Sequence, residues 1–189
     1  MIKKWLVCGD QHGSYQYLLE DLKFYYDLYK PEELGIIALG DFGLNFYLNK
    51  TDEKKKAFLN ARGYTFYLVR GNHELRPSML ENSKLVYDAE IHGKIYFEEE
   101  YPNIRYLIDG AYYYFGKYKC LILGGAYSVD KEYRLLNHYP WFPNEQLSKE
   151  EMDYIASLYQ EYEDAVYNGG VNPNNGKLYS DYVDAESVA

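Results

Sequence analysis

Three short polar segments in the first half of the chain carry side chains that can bind a metal ion. The first contains Asp10 and His12, the second Asp41, and the third Asn72 and His73. Carboxylate and amide oxygens combined with imidazole nitrogens suit Mn, Fe, Zn or Ni better than the soft metals that thiolates bind. A carboxylate can also bridge two cations about 3.5–4 Å apart, the arrangement that clamps a phosphoryl group during its transfer. The residue types therefore predict a site for one or two divalent metal ions.

Each polar segment follows a short apolar run that predicts a buried strand, and the three runs are Ile2–Cys8, Leu34–Leu39 and Tyr64–Val69. Helices are predicted between them: Ser14 caps a helix over Tyr15–Tyr29, and Thr51 or Asp52 begins a second helix that ends near Arg62. This alternation is typical of a parallel sheet with helical crossovers. Because such sheets bind ligands at the carboxyl ends of their strands, the three polar segments are expected at one edge.

The second half of the chain has shorter runs bounded by glycine, which predict antiparallel strands over Glu90–Glu98, Ile104–Ile108, Ala111–Phe115 and Lys119–Leu123. Asp109-Gly110 predicts a hairpin turn, and His92-Gly93 fits another. Ser148 and Glu151 form a capping box that opens a long amphipathic helix. We therefore predict an α/β domain over residues 1–167 and a polar C-terminal tail over residues 168–189.

Charge is distributed unevenly along the chain, whose formal net charge is −9. Residues 1–144 contain 19 acidic and 18 basic side chains, whereas residues 145–189 contain ten acidic side chains against Lys149 and Lys177. A body without net charge lacks the basic footprint of a nucleic-acid-binding protein, so nucleic acid is predicted only as a possible substrate. The oligomeric state is left open.

Hydropathy and cysteine usage predict a cytoplasmic protein that does not enter a membrane. No apolar run approaches the roughly 18 residues that a membrane helix needs. The apolar run near the start ends at Gly9, too early for a signal peptide. Cys8 and Cys120 each lie in a strand-like run and are predicted to be buried, reduced thiols.

The three motifs, Asp-x-His, Gly-Asp and Gly-Asn-His-Glu, occur in this order and resemble the calcineurin-like metallophosphoesterase family. The later segment over residues 123–134, with Trp141 and Pro143-x-Glu after it, resembles a small bacterial and phage-associated branch of that family. The resemblance covers roughly residues 2–152. It implies a β-sandwich flanked by helices, and a phosphatase or phosphodiesterase that uses two metal ions.

The resemblance also implies a role for each candidate residue. Asp10 and His12 would bind the first metal, Asp41 would bridge both metals, and Asn72 would bind the second. His73 would be the catalytic residue, acting as a general acid or as a phosphate-binding group. The nucleophile would be a hydroxide on the metal, and the substrate a phosphoester.

The chain departs from the family pattern in its second half. The family completes its metal shell with two or three histidines near the C-terminus, whereas this chain has histidines only at positions 12, 73, 92 and 138. We therefore expect a C-terminally shortened or diverged member of the fold that retains one metal and holds a second weakly, unless acidic side chains of the tail complete the shell. Two functions follow: a metal-dependent phosphoester hydrolase, or a degenerate member with an incomplete metal site that acts as a binding or structural module.

Several of these side chains also permit simpler interpretations. Asp10 and Asp41 could cap the helices that follow them. Glu74 could set the tautomer and charge of the catalytic histidine, or it could be a solvated charge. Ser128 is interpreted as a loop contact, because no nucleophile-elbow pattern surrounds it. Arg134 could touch a phosphate or form an exposed ion pair. The histidines at 92 and 138 are interpreted as turn and loop residues.

Overall fold

The structure is a computed structural model that describes residues 1–167. The chain divides into two units, Met1–Leu147 and Ser148–Ala189, which are described separately. The predicted boundary after residue 167 coincides with the end of the described residues, so it stays a prediction. The predicted polar tail over residues 168–189 lies outside the described residues.

The first unit is built on a six-stranded sheet with the strand order β1-β2-β3-β6-β5-β4. Its strands are β1 Lys4–Cys8, β2 Leu34–Leu39, β3 Thr65–Val69, β4 Ser83–Asp88, β5 Gly93–Glu98 and β6 Ile104–Tyr106. The first three strands pair in parallel, with Cys8 opposite Ala38 and Ala38 opposite Leu68. This register confirms the predicted parallel core and brings the carboxyl ends of all three strands to one edge. β6 pairs in parallel with β3, and β5 and β4 follow in antiparallel pairing.

A second sheet consists of one hairpin, β7 Tyr112–Phe115 and β8 Tyr118–Leu121. Its turn contains Gly116 at φ +65°. The hairpin predicted at Asp109-Gly110 is wrong, because β6 before it and β7 after it belong to different sheets. The Asp109 carboxylate instead accepts hydrogen bonds from the backbone N–H of Gly124 and from the Arg70 guanidinium. Residues 108–111 still form a turn, in which the N–H of Ala111 donates a 3.2 Å hydrogen bond to the carbonyl of Ile108 and Gly110 has φ +78°. Only the expected pairing of the strands on either side of this turn is absent.

The antiparallel half differs from the prediction in two further respects. The strand expected from Glu90 begins at Gly93, and residues 89–92 form the connection between β4 and β5, which agrees with the predicted turn at His92. Residue 92 has φ +54°, a left-handed conformation that suits a tight connection. β4 itself was not predicted, because its residues Ser83–Asp88 mix charged and apolar side chains at the sheet edge.

The helices of the first unit are α1 Gln16–Lys23, α2 Lys50–Asn60 and α3 Lys131–Leu136. α1 is shorter than predicted, and the backbone N–H groups of residues 24–26 bond to carbonyls three residues earlier. This change coincides with consecutive aromatic residues, which are weaker helix formers than the residues before them. The predicted Ser14 cap is wrong, because Tyr15 occupies the N-cap position without a side-chain bond.

α2 begins one or two residues earlier than predicted. Asn49 is its N-cap, and its side-chain oxygen accepts a 2.8 Å hydrogen bond from the N–H of Thr51. Asp52, predicted as a possible cap, is buried and instead accepts hydrogen bonds from the backbone N–H groups of Tyr47 and Leu48. The carboxylate therefore stabilises the loop before the helix rather than the helix terminus.

The second unit begins with α4, Lys149–Tyr167. The predicted capping box is confirmed: the Ser148 hydroxyl accepts from the N–H of Glu151, and the Glu151 carboxylate accepts from the N–H of Ser148. No helix in residues 1–167 is long and apolar enough to cross a membrane. The cytoplasmic location stays a prediction.

Apolar side chains fill both faces of the six-stranded sheet. Leu22 of α1, Leu59 of α2 and Phe66 of β3 belong to one buried cluster. Tyr67, the next residue of β3, points to the other face and packs with Tyr113 of the second sheet. Helices therefore cover one face and a hairpin covers the other, which agrees with the predicted α/β sandwich.

Cys8 and Cys120 are free thiols, as predicted, but both are only partly buried. Burial raises the pKa of Cys8 to about 11, and it also raises the pKa of Cys120.

Candidate metal centre

Backbone hydrogen bonds connect the loops that leave β1 and β2. The N–H groups of Gln11 and His12 donate to the carbonyl oxygen of Asp41 at 3.3 and 2.8 Å, and the N–H of Gly13 donates to that of Phe42 at 3.1 Å. His12 has φ +45° and Asp41 has φ +33°, a region that non-glycine residues adopt at a cost of roughly 1–3 kcal/mol. Strained backbone of this kind concentrates at functional sites.

The loop that leaves β3 packs tightly against Asp41. The backbone N–H of His73 donates a 2.9 Å hydrogen bond to Asp41 Oδ1. A Cβ atom added to Gly71 would lie 1.7 Å from the same oxygen and 2.4 Å from the backbone nitrogen of Asp41. Only glycine permits this approach, so the Gly-Asn-His-Glu segment determines where the Asp41 carboxylate lies.

Three candidate residues bring metal-binding atoms within reach of one ion. One ligand atom from each of His12, Asp41 and His73 lies within 4.8 Å of the others. The His73 Nδ1 and Asp41 Oδ2 atoms are 3.9 Å apart, and the two imidazole rings have centroids 5.3 Å apart. One carboxylate oxygen with two imidazole nitrogens suits a divalent transition metal, so these residues fit the group that the sequence predicts.

The remaining predicted ligands lie beside this cluster. Asp10 Oδ1 is 3.0 Å from His12 Nε2, and both side chains are more than half exposed. Asp10, Asp41 and Asn72 line a cavity of about 440 Å³, whereas His12, Asp41 and His73 line a second cavity of about 230 Å³. The structure thus places all five predicted residues at one edge of the sheet, in two cavities that share Asp41.

The Glu74 carboxylate is buried and makes no hydrogen bond to the His73 ring, which corrects both interpretations of this residue. The carboxylate instead accepts hydrogen bonds from the backbone N–H groups of Gly43, Leu44 and Gly71, at 2.8, 3.3 and 3.3 Å. Burial raises the pKa of this carboxyl, and the bonds from the three amides oppose that rise. Glu74 therefore links the loop after β2, which carries Asp41, to the loop after β3, which carries His73.

Two charged residues next to the site were not recognised from the sequence. Asp130 Oδ1 lies 3.9 Å from His73 Nε2, so carboxylates flank the imidazole on two sides. Lys55 lines the smaller cavity and donates a 2.9 Å hydrogen bond to the carbonyl of Gly43. Asp130 lies inside the segment over residues 123–134 that carries the family resemblance, whereas nothing in the spacing of Lys55 singles it out.

The second half of the chain contributes a buried polar network behind the site. Ser128 is buried and bonded to Glu145, which agrees with its interpretation as a loop contact. Arg134 is buried, so the predicted exposed ion pair is wrong; its guanidinium donates to the Ser128 hydroxyl and to the carbonyl of Pro140. The remaining histidines, at 92 and 138, line neither cavity.

Comparison with known families agrees with this geometry. Residues 3–182 match the family model described as calcineurin-like phosphoesterase, which covers nearly the whole chain. Neither a curated protein nor a solved structure matches the chain at a significant level. The matched region includes every candidate metal-binding residue described above, and on this evidence the chain belongs to the calcineurin-like phosphoesterase family.

Proposed function

We propose that this protein is a metal-dependent hydrolase of phosphoesters, either monoesters or diesters. The cluster of His12, Asp41 and His73 carries the proposal, because their ligand atoms converge at the edge where three parallel strands end. Membership of the phosphoesterase family supports metal-dependent phosphoester hydrolysis in general. The activity of this particular chain, its substrate and its metal are part of this proposal.

In the proposed arrangement, Asp10 and His12 hold one divalent ion, Asn72 holds the second, and Asp41 contributes to both. The position of Asp41 in both cavities supports its bridging role. When bound, the ions supply Lewis acidity toward the phosphoryl oxygens. The chain itself positions these ligands through the tight contact at Gly71 and through the carboxylate of Glu74.

His73 is proposed as the catalytic residue that donates a proton to the leaving oxygen or binds the phosphate. Its backbone N–H is bonded to Asp41, and its ring lies between the carboxylates of Asp41 and Asp130. The same position also brings a ring nitrogen into the candidate cluster, so a ligand role is the second possibility. A His73→Ala variant that keeps its metal and loses turnover supports the catalytic role, whereas loss of metal supports the ligand role.

The surroundings of the smaller cavity suit a phosphorylated substrate. Lys55 lines this cavity and also lines an adjoining one of about 670 Å³, where Lys23, Lys54 and Arg62 occur with the half-exposed ring of Phe58. A substrate with more than one phosphate could place its second phosphate against these cations, beyond the metal site. Nucleic acid therefore remains a possible substrate, although the first 144 residues carry almost no net charge.

Metal content and turnover of an Asp41→Asn variant test the proposal. We expect the wild-type protein, purified without chelator, to retain about one metal equivalent and to hydrolyse an aryl phosphate slowly, with stimulation by added Mn. Asp41→Asn should lose both metal and turnover, because it removes the charge that both ions share. Asp27→Asn, at an exposed carboxylate, is the control and should retain both. Robust turnover by the metal-stripped protein would contradict the proposal.

The second candidate function is a binding or structural module with an incomplete metal site. The small number of histidines favours it, because only two of the four line the candidate cavities. Metal analysis discriminates between the two functions. No metal in the purified protein and no Mn binding on titration would support the module, about one equivalent would support an incomplete site, and about two equivalents would support the enzyme.

A further inference from the structure

The orientation of the Asn72 side chain decides whether it can serve as a ligand. An asparagine amide has a carbonyl oxygen on one branch and an NH₂ group on the other, and only the oxygen can bind a cation. The two branches have nearly the same shape, so packing alone does not choose between them. A hydrogen-bonding partner of fixed polarity must therefore make the choice.

A buried network next to Asn72 provides such a partner. Asn72 Nδ2 lies 2.9 Å from Ser128 Oγ, which in turn lies 2.5 Å from Glu145 Oε2. The guanidinium of Arg134 approaches the same Ser128 oxygen, with Nη1 at 3.2 Å. Ser128, Arg134 and Glu145 are only 1–3% exposed, so water does not compete for these bonds.

The chemistry of the three partners fixes the direction of every bond in this network. A guanidinium can only donate and a carboxylate can only accept, whereas a hydroxyl has one proton and two lone pairs. The Ser128 proton therefore points to Glu145, and Arg134 uses one lone pair of the oxygen. The other lone pair remains for Asn72, which must present its NH₂ group.

We propose that Glu145 and Ser128 are positioning residues that orient the Asn72 amide so that its carbonyl oxygen is free to bind the metal. This inference rests on the proposed function, since it concerns the second metal. Glu145 is itself held in place, because its Oε1 accepts a 3.0 Å hydrogen bond from the N–H of Ser128 and its carbonyl accepts a 2.7 Å bond from Arg70. The negative charge of Glu145 therefore fixes the direction of the Ser128 hydroxyl proton, and this in turn fixes which branch of the Asn72 amide faces Ser128.

An isosteric Glu145→Gln substitution tests this polarity. A glutamine can still accept the N–H of Ser128 through its oxygen, but it presents an NH₂ group to the Ser128 hydroxyl. The hydroxyl proton then turns toward Asn72, whose amide rotates to present its oxygen and turns its NH₂ group toward the metal. We expect Mn affinity at the second site to fall by about 10–100-fold, the usual effect of losing a partner behind a ligand. Equilibrium dialysis measures this without any turnover.

A rescue variant separates orientation from general damage. A carboxylate has an oxygen on both branches, so Asn72→Asp in the Glu145→Gln background should restore Mn affinity to within a few-fold of wild type. Asn72→Asp alone should not improve binding, because its carboxylate would face a Ser128 oxygen that has no proton to give. Asp88→Asn is the matched control: Asp88 is buried and accepts a hydroxyl proton from Tyr67, but it lines neither cavity.

A second measurement reads the orientation without metal. In the wild-type protein, the side-chain NH₂ signals of Asn72 in a ¹⁵N spectrum should include one proton protected from solvent exchange by its bond to Ser128. This protection should disappear in Glu145→Gln. Unchanged protection, unchanged Mn affinity in Glu145→Gln, or failure of the double variant to recover would each overturn the inference. A wild-type protein that binds no Mn would instead contradict the proposed function, and the amide signal would still decide the orientation.

Discussion

Two glycines that look equivalent in the sequence should respond in opposite ways to the same substitution. Gly9 and Gly71 each follow a parallel strand of the core and directly precede a candidate ligand. Neither has a left-handed φ, so alanine fits the backbone at both positions. An added Cβ at Gly9 would meet no atom within 4 Å, whereas at Gly71 it would lie 1.7 Å from Asp41 Oδ1 and 2.4 Å from the Asp41 backbone nitrogen.

The expected free energies follow from these distances. Replacing glycine by alanine where it fits raises the free energy of unfolding by about 0.4–1 kcal/mol, because the unfolded chain loses freedom. Gly9→Ala should show this gain. Gly71→Ala gains the same term but must displace backbone as well as a side chain, and overpacking of this kind costs about 1–3 kcal/mol. Gly71→Ala should therefore be less stable than Gly9→Ala by about 1–3 kcal/mol.

Urea unfolding of the two variants, followed by circular dichroism, measures the difference as a shift in midpoint at unchanged slope. Equilibrium dialysis with Mn gives the second readout. Gly71→Ala should bind Mn weakly, because the displaced group is the Asp41 carboxylate, and Gly9→Ala should bind it as the wild type does. Equal stability and equal Mn affinity in the two variants would refute the claim that Gly71 determines where Asp41 lies.

Two further predictions concern the body of the fold. Burial raises the pKa of Cys8 to about 11, so iodoacetamide at pH 8 should alkylate this thiol about a hundredfold more slowly in the native protein than in urea, as followed by peptide mass spectrometry. A native rate within tenfold of the unfolded rate would contradict the burial effect. Lys56 and Glu98 form a largely buried ion pair with Nζ–Oε1 2.7 Å, so Lys56→Met should lower the free energy of unfolding by up to roughly 3–5 kcal/mol. A loss below about 1 kcal/mol by urea unfolding would show that the pair is dispensable.

The parallel core could be predicted because its signals are local. Each strand is a short apolar run, and each is followed by glycine and a polar ligand type at a constant spacing. The second half could not be predicted as well, because its pairing depends on distant partners. Asp109-Gly110 does form a turn, yet β6 before it and β7 after it pair with other strands, and Arg70 and Gly124 bind the Asp109 carboxylate.

Helix termini show the same division between local and long-range effects. The capping box at Ser148 and Glu151 involves residues three apart, and the sequence predicts it correctly. Asp52 also has the composition of a cap, but the preceding loop turns back and places the backbone N–H groups of Tyr47 and Leu48 on its carboxylate. Asn49 then takes the cap position. The path of a loop, which composition does not encode, decides between two suitable residues.

The candidate site extends this argument to function. Asp41 and Glu74 both lie in glycine-containing motifs, and both are carboxylates that could serve a metal or a histidine. The backbone distinguishes them: three amide N–H groups bind Glu74, whereas Asp41 accepts one, from His73, on Oδ1. A carboxylate with three amides on it has little capacity left for a cation, while the second oxygen of Asp41 retains its lone pairs. The sequence thus supplies two acids of equal chemistry, and the paths of the loops after β2 and β3 make Glu74 a structural anchor and leave Asp41 able to bind metal.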